Sequence, residues 1–183
     1  DPLNFYNYHA AVQAALWAGR PEEALSLASR AAEIEPDNPF IEWDLVVSMM
    51  ALGRFEEARE HASGVSTWNR DILMVATNSA LGETAEAKRY LEISLKEAAP
   101  WFKQYLAIQL NAITGNRQAA NEAAAWFDGI PAGHTMLAAT IMECMCGAPF
   151  DLEATPVFAK RLEEAGFGWP PAVVMNLPTA STP

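Results

Sequence analysis

The residues best suited to catalysis or metal binding are scattered along this sequence. His9, His61 and His134 lie far apart, and no two of them have the spacing of a two-histidine zinc motif. His134 and Cys144 could act as base and nucleophile, but ten residues of helix would separate them by about 15 Å. Cys144 and Cys146 would point to opposite faces of a helix. The sequence therefore predicts no catalytic, cofactor-binding or metal-binding site, and reduced structural thiols.

Charge and composition narrow the classes of partner. The chain has 183 residues, of which 51% are hydrophobic, and a formal net charge of −11. Nucleic acids and anionic membrane surfaces attract lysine and arginine, so an excess of acidic residues argues against both. No apolar stretch reaches the roughly 18 residues that a membrane span needs. We expect a cytoplasmic protein whose partner is a basic or apolar protein or peptide.

Four glycines recur at intervals close to those of a helical repeat. The intervals between successive members are 34, 29 and 33 residues, and an alanine follows each glycine five residues later. A period near 34 residues is typical of stacked helical hairpins. Glycine allows the left-handed turn that ends a helix, and the alanine would lie in the next helix. The four pairs are Gly19 and Ala24, Gly53 and Ala58, Gly82 and Ala87, and Gly115 and Ala120.

The repeat predicts how the chain is divided. The hexapeptides that begin at Gly19 and Gly53 agree at five of six positions. In the first unit we expect helices over Asn4–Ala18 and Pro21–Ile34, and in the second over Phe40–Leu52 and Phe55–Val65. The array would cover residues 1–131, in four units at 5–38, 39–67, 68–100 and 101–130. Residues 132–167 would form a degenerate capping unit, with helices near 133–146 and from Pro156 with Thr155 as its cap, followed by an extended tail at 168–183.

These units resemble tetratricopeptide repeats. The first unit supplies the small, apolar and proline positions of that family's pattern, and the second supplies most of them. Those residues are Tyr8, Val12, Ala24, Ala28, Ala31 and Pro36, then Leu45, Ala58, Ala62 and Val65. In the later units, Ser94 and Phe127 stand where the family usually has alanine. The resemblance implies an all-α fold, a right-handed superhelical solenoid of about ten helices. It also implies that the protein binds other proteins and is not an enzyme.

In that family the first helix of each unit lines a concave groove. The resemblance implies a mostly apolar and aromatic groove here, suited to a peptide or an apolar helix. The alternative is that a C-terminal helix or a second subunit already fills it. The candidate partner-binding residues are Tyr6, His9, Gln13, Phe40, Trp43, Val47, Met50, Asn69, Ile72, Phe102, Tyr105 and Gln109.

One specialised use of such grooves is not expected. Repeats that grip the C-terminal carboxylate of chaperones use basic residues at positions that here hold none. The residues at those positions are His9, Gln13, Asp44, Asn69 and Leu73.

The opening residues suggest a larger context. Asp1-Pro2-Leu3-Asn4 aligns one period before the closing turn Glu35-Pro36-Asp37-Asn38. We therefore expect a piece of a longer protein. The opening at residues 1–5 and the turn at residues 18–24 resemble the C-terminal repeat arrays of bacterial signalling proteins with nucleotidyl cyclase or winged-helix domains. Three functions remain open: an interaction module of a regulatory protein, a module for homo-oligomerisation, and an enzyme or small-ligand binder. The third would need a pocket where ionisable groups converge.

Overall fold

The computed structural model describes residues 5–66, 68–135 and 150–166, and these contain helices but no strands. The α-helices are α1 (Phe5–Trp17), α2 (Pro21–Ile34), α3 (Pro39–Ala51), α4 (Phe55–Gly64), α5 (Arg70–Ala80), α6 (Thr84–Glu97), α7 (Pro100–Ile113), α8 (Arg117–Ala124) and α9 (Pro156–Glu164). Short 3-10 helices cover Ala125–Gly129, Ala132–His134 and Leu152–Ala154. In this part of the chain no helix is long and apolar enough to cross a membrane.

The chain divides into two compact parts, each larger than one predicted repeat. They are Asp1–Tyr90, called the first unit from here on, and Leu91–Pro183, called the second unit. In the first unit, α1 packs against α2 and α3, and α3 also packs against α2, α4 and α5. In the second unit, α7 packs against α8, and α9 packs against the 3-10 helix Ala125–Gly129.

The repeated glycines end helices as the sequence predicts. Gly19, Gly53, Gly82 and Gly115 have φ between 68° and 77°. At the first turn, the Gly19 amide donates to the Leu16 carbonyl at 3.0 Å and the Arg20 amide donates to the Ala15 carbonyl at 2.9 Å. The other three turns have the same pair of bonds. This is the Schellman arrangement, which satisfies the last carbonyls of a helix.

The paired alanines are buried, as close packing of helices requires. Ala24, Ala58 and Ala120 are fully buried, and Ala87 is 1% exposed. A methyl group at this position lets two helices approach to the short end of the usual ~8–10 Å interaxial range.

Helix boundaries in the first two predicted repeats, 5–38 and 39–67, agree closely with the prediction. The second helix occupies Pro21–Ile34, as expected. The third begins one residue early, at Pro39, because proline fits the first turn and the Asn38 side chain accepts from the Phe40 amide at 3.0 Å.

The second unit has an aromatic core. Phe127 stacks on Phe158 with ring centroids 4.8 Å apart, and Phe150 lies 5.5 Å from Phe127. Ile108, Ala124, Ile130 and Leu162 complete the buried cluster. Phe127 stands where the repeat usually has alanine, and α8 gives way to a 3-10 helix just before it.

Polar contacts fix the start of α9. Thr155 precedes Pro156 as expected, but its side chain donates to the Leu152 carbonyl at 3.3 Å and makes no capping bond. Asp128 takes that role, because its Oδ1 accepts from the Phe158 amide at 2.8 Å.

The predicted capping unit lies only partly within the described residues. Of the helix expected near 133–146, the described start includes the 3-10 helix Ala132–His134, and residues 136–149 lie outside the described part. The predicted tail at 168–183 also lies outside it.

Replacing a turn glycine tests the backbone requirement. Gly53→Ala adds a methyl group that meets nothing within 4 Å, so its whole cost is the positive φ. We expect a loss of about 1 kcal/mol in unfolding free energy, measured by urea denaturation followed by circular dichroism.

The matched control is Gly64→Ala. Gly64 ends α4 without a positive φ and also has open space at its Cβ. That substitution should raise stability by about 0.5 kcal/mol. Equal effects of the two substitutions would contradict the role given to Gly53.

Candidate functional site

The structure separates the candidate partner-binding residues of the first unit into exposed and buried sets. Tyr6 is 62% exposed and Phe40 is 43% exposed. His9, Gln13 and Trp43 are half-buried. These five lie on α1 and α3, which pack against each other.

The other four are buried. Val47, Met50, Asn69 and Ile72 are each at most 3% exposed. Every residue from 44 to 50 of α3 and from 72 to 79 of α5 is buried, so these stretches are covered on all faces. Asn69 has a structural contact, because its Nδ2 donates to the Pro39 carbonyl at 2.6 Å.

In the second unit the expected groove residues also lie largely in the interior. Gln109 is buried, and Phe102 is half-buried. Tyr105 packs edge-on against Trp126 and Phe127, with ring centroids 5.4 and 5.8 Å away. Desolvation in this cluster raises the pKa of Tyr105. Tyr105 therefore contributes to the aromatic core of its unit.

A group of neighbouring aromatic rings on α1 and α3, which we call the α1–α3 aromatic surface, consists of exposed Tyr6 and Phe40 and half-buried Phe5 and His9. The Phe5 ring lies 4.0 Å from that of Tyr6 and stacks at 6.2 Å on Phe40. The His9 ring lies 5.4 Å from that of Phe40. The period of the repeat brings these residues together, because α1 and α3 are the first helices of successive units.

A buried carboxylate lies behind this surface. Asp44 is 1% exposed, and both its oxygens lie within 3.0 Å of His9 Nδ1. Gln13 Nε2 donates to Asp44 Oδ1 at 3.0 Å. A carboxylate only accepts, so Nδ1 of His9 carries the proton and Nε2 of a neutral ring is an acceptor.

Burial dominates the titration of this carboxyl. Desolvation raises the pKa of Asp44 above 3.8, although the bonds from His9 and Gln13 oppose the shift. In the sequence, Asp44 stood out only as a position where the basic clamp is missing. Its signal was a carboxylate directly between the apolar residues Trp43 and Leu45.

A second polar group lies between α3 and α4. His61 Nε2 lies 2.6 Å from Glu42 Oε2. Together with Glu57 and Glu60 they border an open cleft of about 370 Å³, over Met49 and Val65. Among the described residues, no group of histidine, cysteine or acidic side chains is arranged to hold a metal ion.

The comparison with known families agrees with the helical hairpins. Residues 15–77 match the family model of the tetratricopeptide repeat. This segment contains the turns at Gly19 and Gly53 and all of α2, α3 and α4. Tetratricopeptide repeats are generally protein–protein interaction modules, and the described residues of this chain form an all-α array consistent with such hairpins. No curated protein and no solved structure matches the chain.

Removing the buried carboxylate should destabilise the first unit. Asp44→Ala leaves His9 Nδ1 and Gln13 Nε2 without their acceptor, at an expected cost of about 2 kcal/mol. Urea denaturation measures the change. Glu57→Ala is the control, because Glu57 is half exposed and pairs with Arg54 of its own hairpin, so it should cost less than about 0.5 kcal/mol. Equal losses would show that the Asp44 contacts contribute little.

The raised pKa of Asp44 also predicts a pH dependence. A folded-state pKa above 3.8 means that the folded chain takes up the proton at higher pH than the unfolded chain. The wild type should therefore gain stability relative to Asp44→Ala as pH falls through the folded-state pKa towards 3.8, and lose that gain as pH rises. Parallel denaturation series over pH measure the difference. The opposite slope would mean that the His9 and Gln13 bonds outweigh burial.

Proposed function

We propose that this chain is a non-catalytic interaction module that binds a segment of a partner protein at the α1–α3 aromatic surface. The observation that carries the proposal is the exposure of Tyr6 and Phe40 on tetratricopeptide hairpins. Large aromatic side chains contribute much of the binding energy at protein interfaces.

The scaffold beneath the surface supports this function. Asp44 of α3 forms hydrogen bonds with His9 and Gln13 of α1. The aromatic rings therefore lie on two helices whose relative register is fixed. A surface that is ordered before binding loses less conformational entropy in the complex. Half-buried Trp43 and Gln13 would lie at the edge of the contact.

The wider setting is also a proposal. The similarity of the opening residues and turns to bacterial repeat arrays supports a scaffold or regulatory role in a cytoplasmic signalling protein. The module would then connect a regulated domain to its partner.

Self-association is the second candidate, and one feature of α1 favours it. Of the α-helices that the structure describes, α1 alone has no charged residue. Its exposed positions include Tyr6, Asn7, Ala10 and Ala14. In a chain of net charge −11, two copies would repel each other least at such a face. Sedimentation at micromolar concentration distinguishes this candidate, since a strict monomer eliminates it.

Peptide selection tests the interaction module. A random peptide library displayed on phage should yield a family of peptides that bind the chain. Tyr6→Ala and Phe40→Ala should each weaken their binding at least about tenfold, since aromatic anchors at interfaces contribute 2 kcal/mol or more. Calorimetry with the synthetic peptides measures this.

The control is Trp68→Ala. Trp68 is 61% exposed and is not part of the α1–α3 aromatic surface, so its loss should leave binding unchanged. Peptides that bind all three variants equally, or a library that yields no binders, would refute the proposed function.

A further inference from the structure

We propose that the partner segment places an arginine side chain on the α1–α3 aromatic surface, with its guanidinium against His9 and over the ring of Phe40. This inference rests on the proposed function and adds the chemistry of the partner. It comes from one juxtaposition: a buried carboxylate without a permanent counter-charge, behind exposed aromatic rings.

The charge of Asp44 is the first step. Ionised side chains are rarely buried without a partner of opposite charge, because desolvation is costly. In the described part of the chain, Asp44 contacts the neutral amide of Gln13 and the ring of His9, and no lysine or arginine pairs with it. A cation from outside, placed next to His9, would supply the missing charge.

The helices around the site have the matching electrostatics. α1 and α3 contain two carboxylates, Glu42 and Asp44, and no lysine or arginine. The N-terminus of α3 carries the positive end of the helix dipole, which by itself would repel a cation. The carboxylate of Glu42 in the first turn, and the Asn38 side chain that accepts from the Phe40 amide, offset this positive charge. The chain as a whole has a net charge of −11, which attracts a basic segment.

His9 provides a route from the surface to the buried charge. Its Nδ1 faces the carboxylate of Asp44, so in a neutral ring Nε2 is the acceptor, on a side chain that is 29% exposed. The carboxylate polarises the ring and strengthens that acceptor, as chained hydrogen bonds do in a low dielectric. A guanidinium N–H can donate to Nε2 and remain close to Asp44.

The aromatic rings select arginine over lysine. A planar guanidinium stacks on an aromatic face while its edge donates hydrogen bonds, whereas an ammonium group is a compact, strongly hydrated charge. Phe40 offers such a face 5.4 Å from the His9 ring, and Tyr6 extends it through Phe5.

The experiment uses three probes. These are short blocked helical peptides of alanine and leucine that differ at one central position, which holds arginine, lysine or citrulline. Citrulline keeps the planar shape of arginine without its charge. Titrations followed by ¹H–¹⁵N correlation spectra of the chain should show the arginine peptide binding about tenfold more tightly than the citrulline peptide, with lysine between them. The shifts should centre on Tyr6, His9 and Phe40.

Variants separate the charge from the aromatic contact. Phe40→Ala should weaken binding of all three peptides. Asp44→Asn, with folding verified by circular dichroism, should abolish the preference for arginine over citrulline while citrulline binding stays unchanged. If Asp44→Asn does not fold, Tyr6→Ala takes its place, because Tyr6 is an exposed residue; it should reduce arginine binding at least about threefold.

Two results would overturn the inference: equal affinity for the arginine and citrulline peptides, or no binding of the arginine peptide tighter than about 1 mM. Neither refutes the proposed function, which depends on the selected peptides. If those bind at Tyr6 and Phe40 without a preference for arginine, the interaction module stands and the arginine site does not.

Discussion

Close packing of paired helices at a buried alanine is the constraint on which the described structure depends. Each turn has a glycine with positive φ, and the alanine five positions later is buried. A larger side chain would push the helices apart, and the contacts on either side would be lost. Since Gly19 and Gly53 make the same turn, α1 and α3 present corresponding positions one period apart.

That correspondence creates the polar link in the first unit. His9 and Asp44 are 35 residues apart, close to one repeat, and meet where α1 packs on α3. A carboxylate in an apolar helix costs desolvation energy, which its hydrogen bonds only partly offset. The arrangement nevertheless fixes the register of the two helices that carry Phe5, Tyr6 and Phe40. A partner contact at this place would therefore meet aromatic rings that are already positioned.

The second unit shows how the repeat pattern ends. Phe127 takes a position that is usually small, and α8 gives way there to a 3-10 helix. The large ring forms the centre of a cluster with Phe150 and Phe158 instead of a close helix crossing. Polar bonds hold the following segment: Arg117 and Asn121 of α8 bind the carboxylate of Asp151 and lower its pKa. Around Phe127, packing of large aromatic side chains therefore replaces the packing of helices at small residues.

The sequence by itself determined the helical class, the glycine turns, the buried alanines and the bounds of α2, because each follows from local conformation and a regular period. It also indicated which helices would face a groove, but not which faces would stay open. Val47, Met50 and Ile72 are buried because residues 44–50 of α3 and 72–79 of α5 are covered on every side, and Asn69 is buried just before α5. Periodicity along one helix does not reveal what covers it. The pairing of His9 with Asp44 and of His61 with Glu42 was likewise decided only by the tertiary structure. Such contacts depend on how separate helices meet, since local sequence sets the conformation of a helix and packing sets its neighbours.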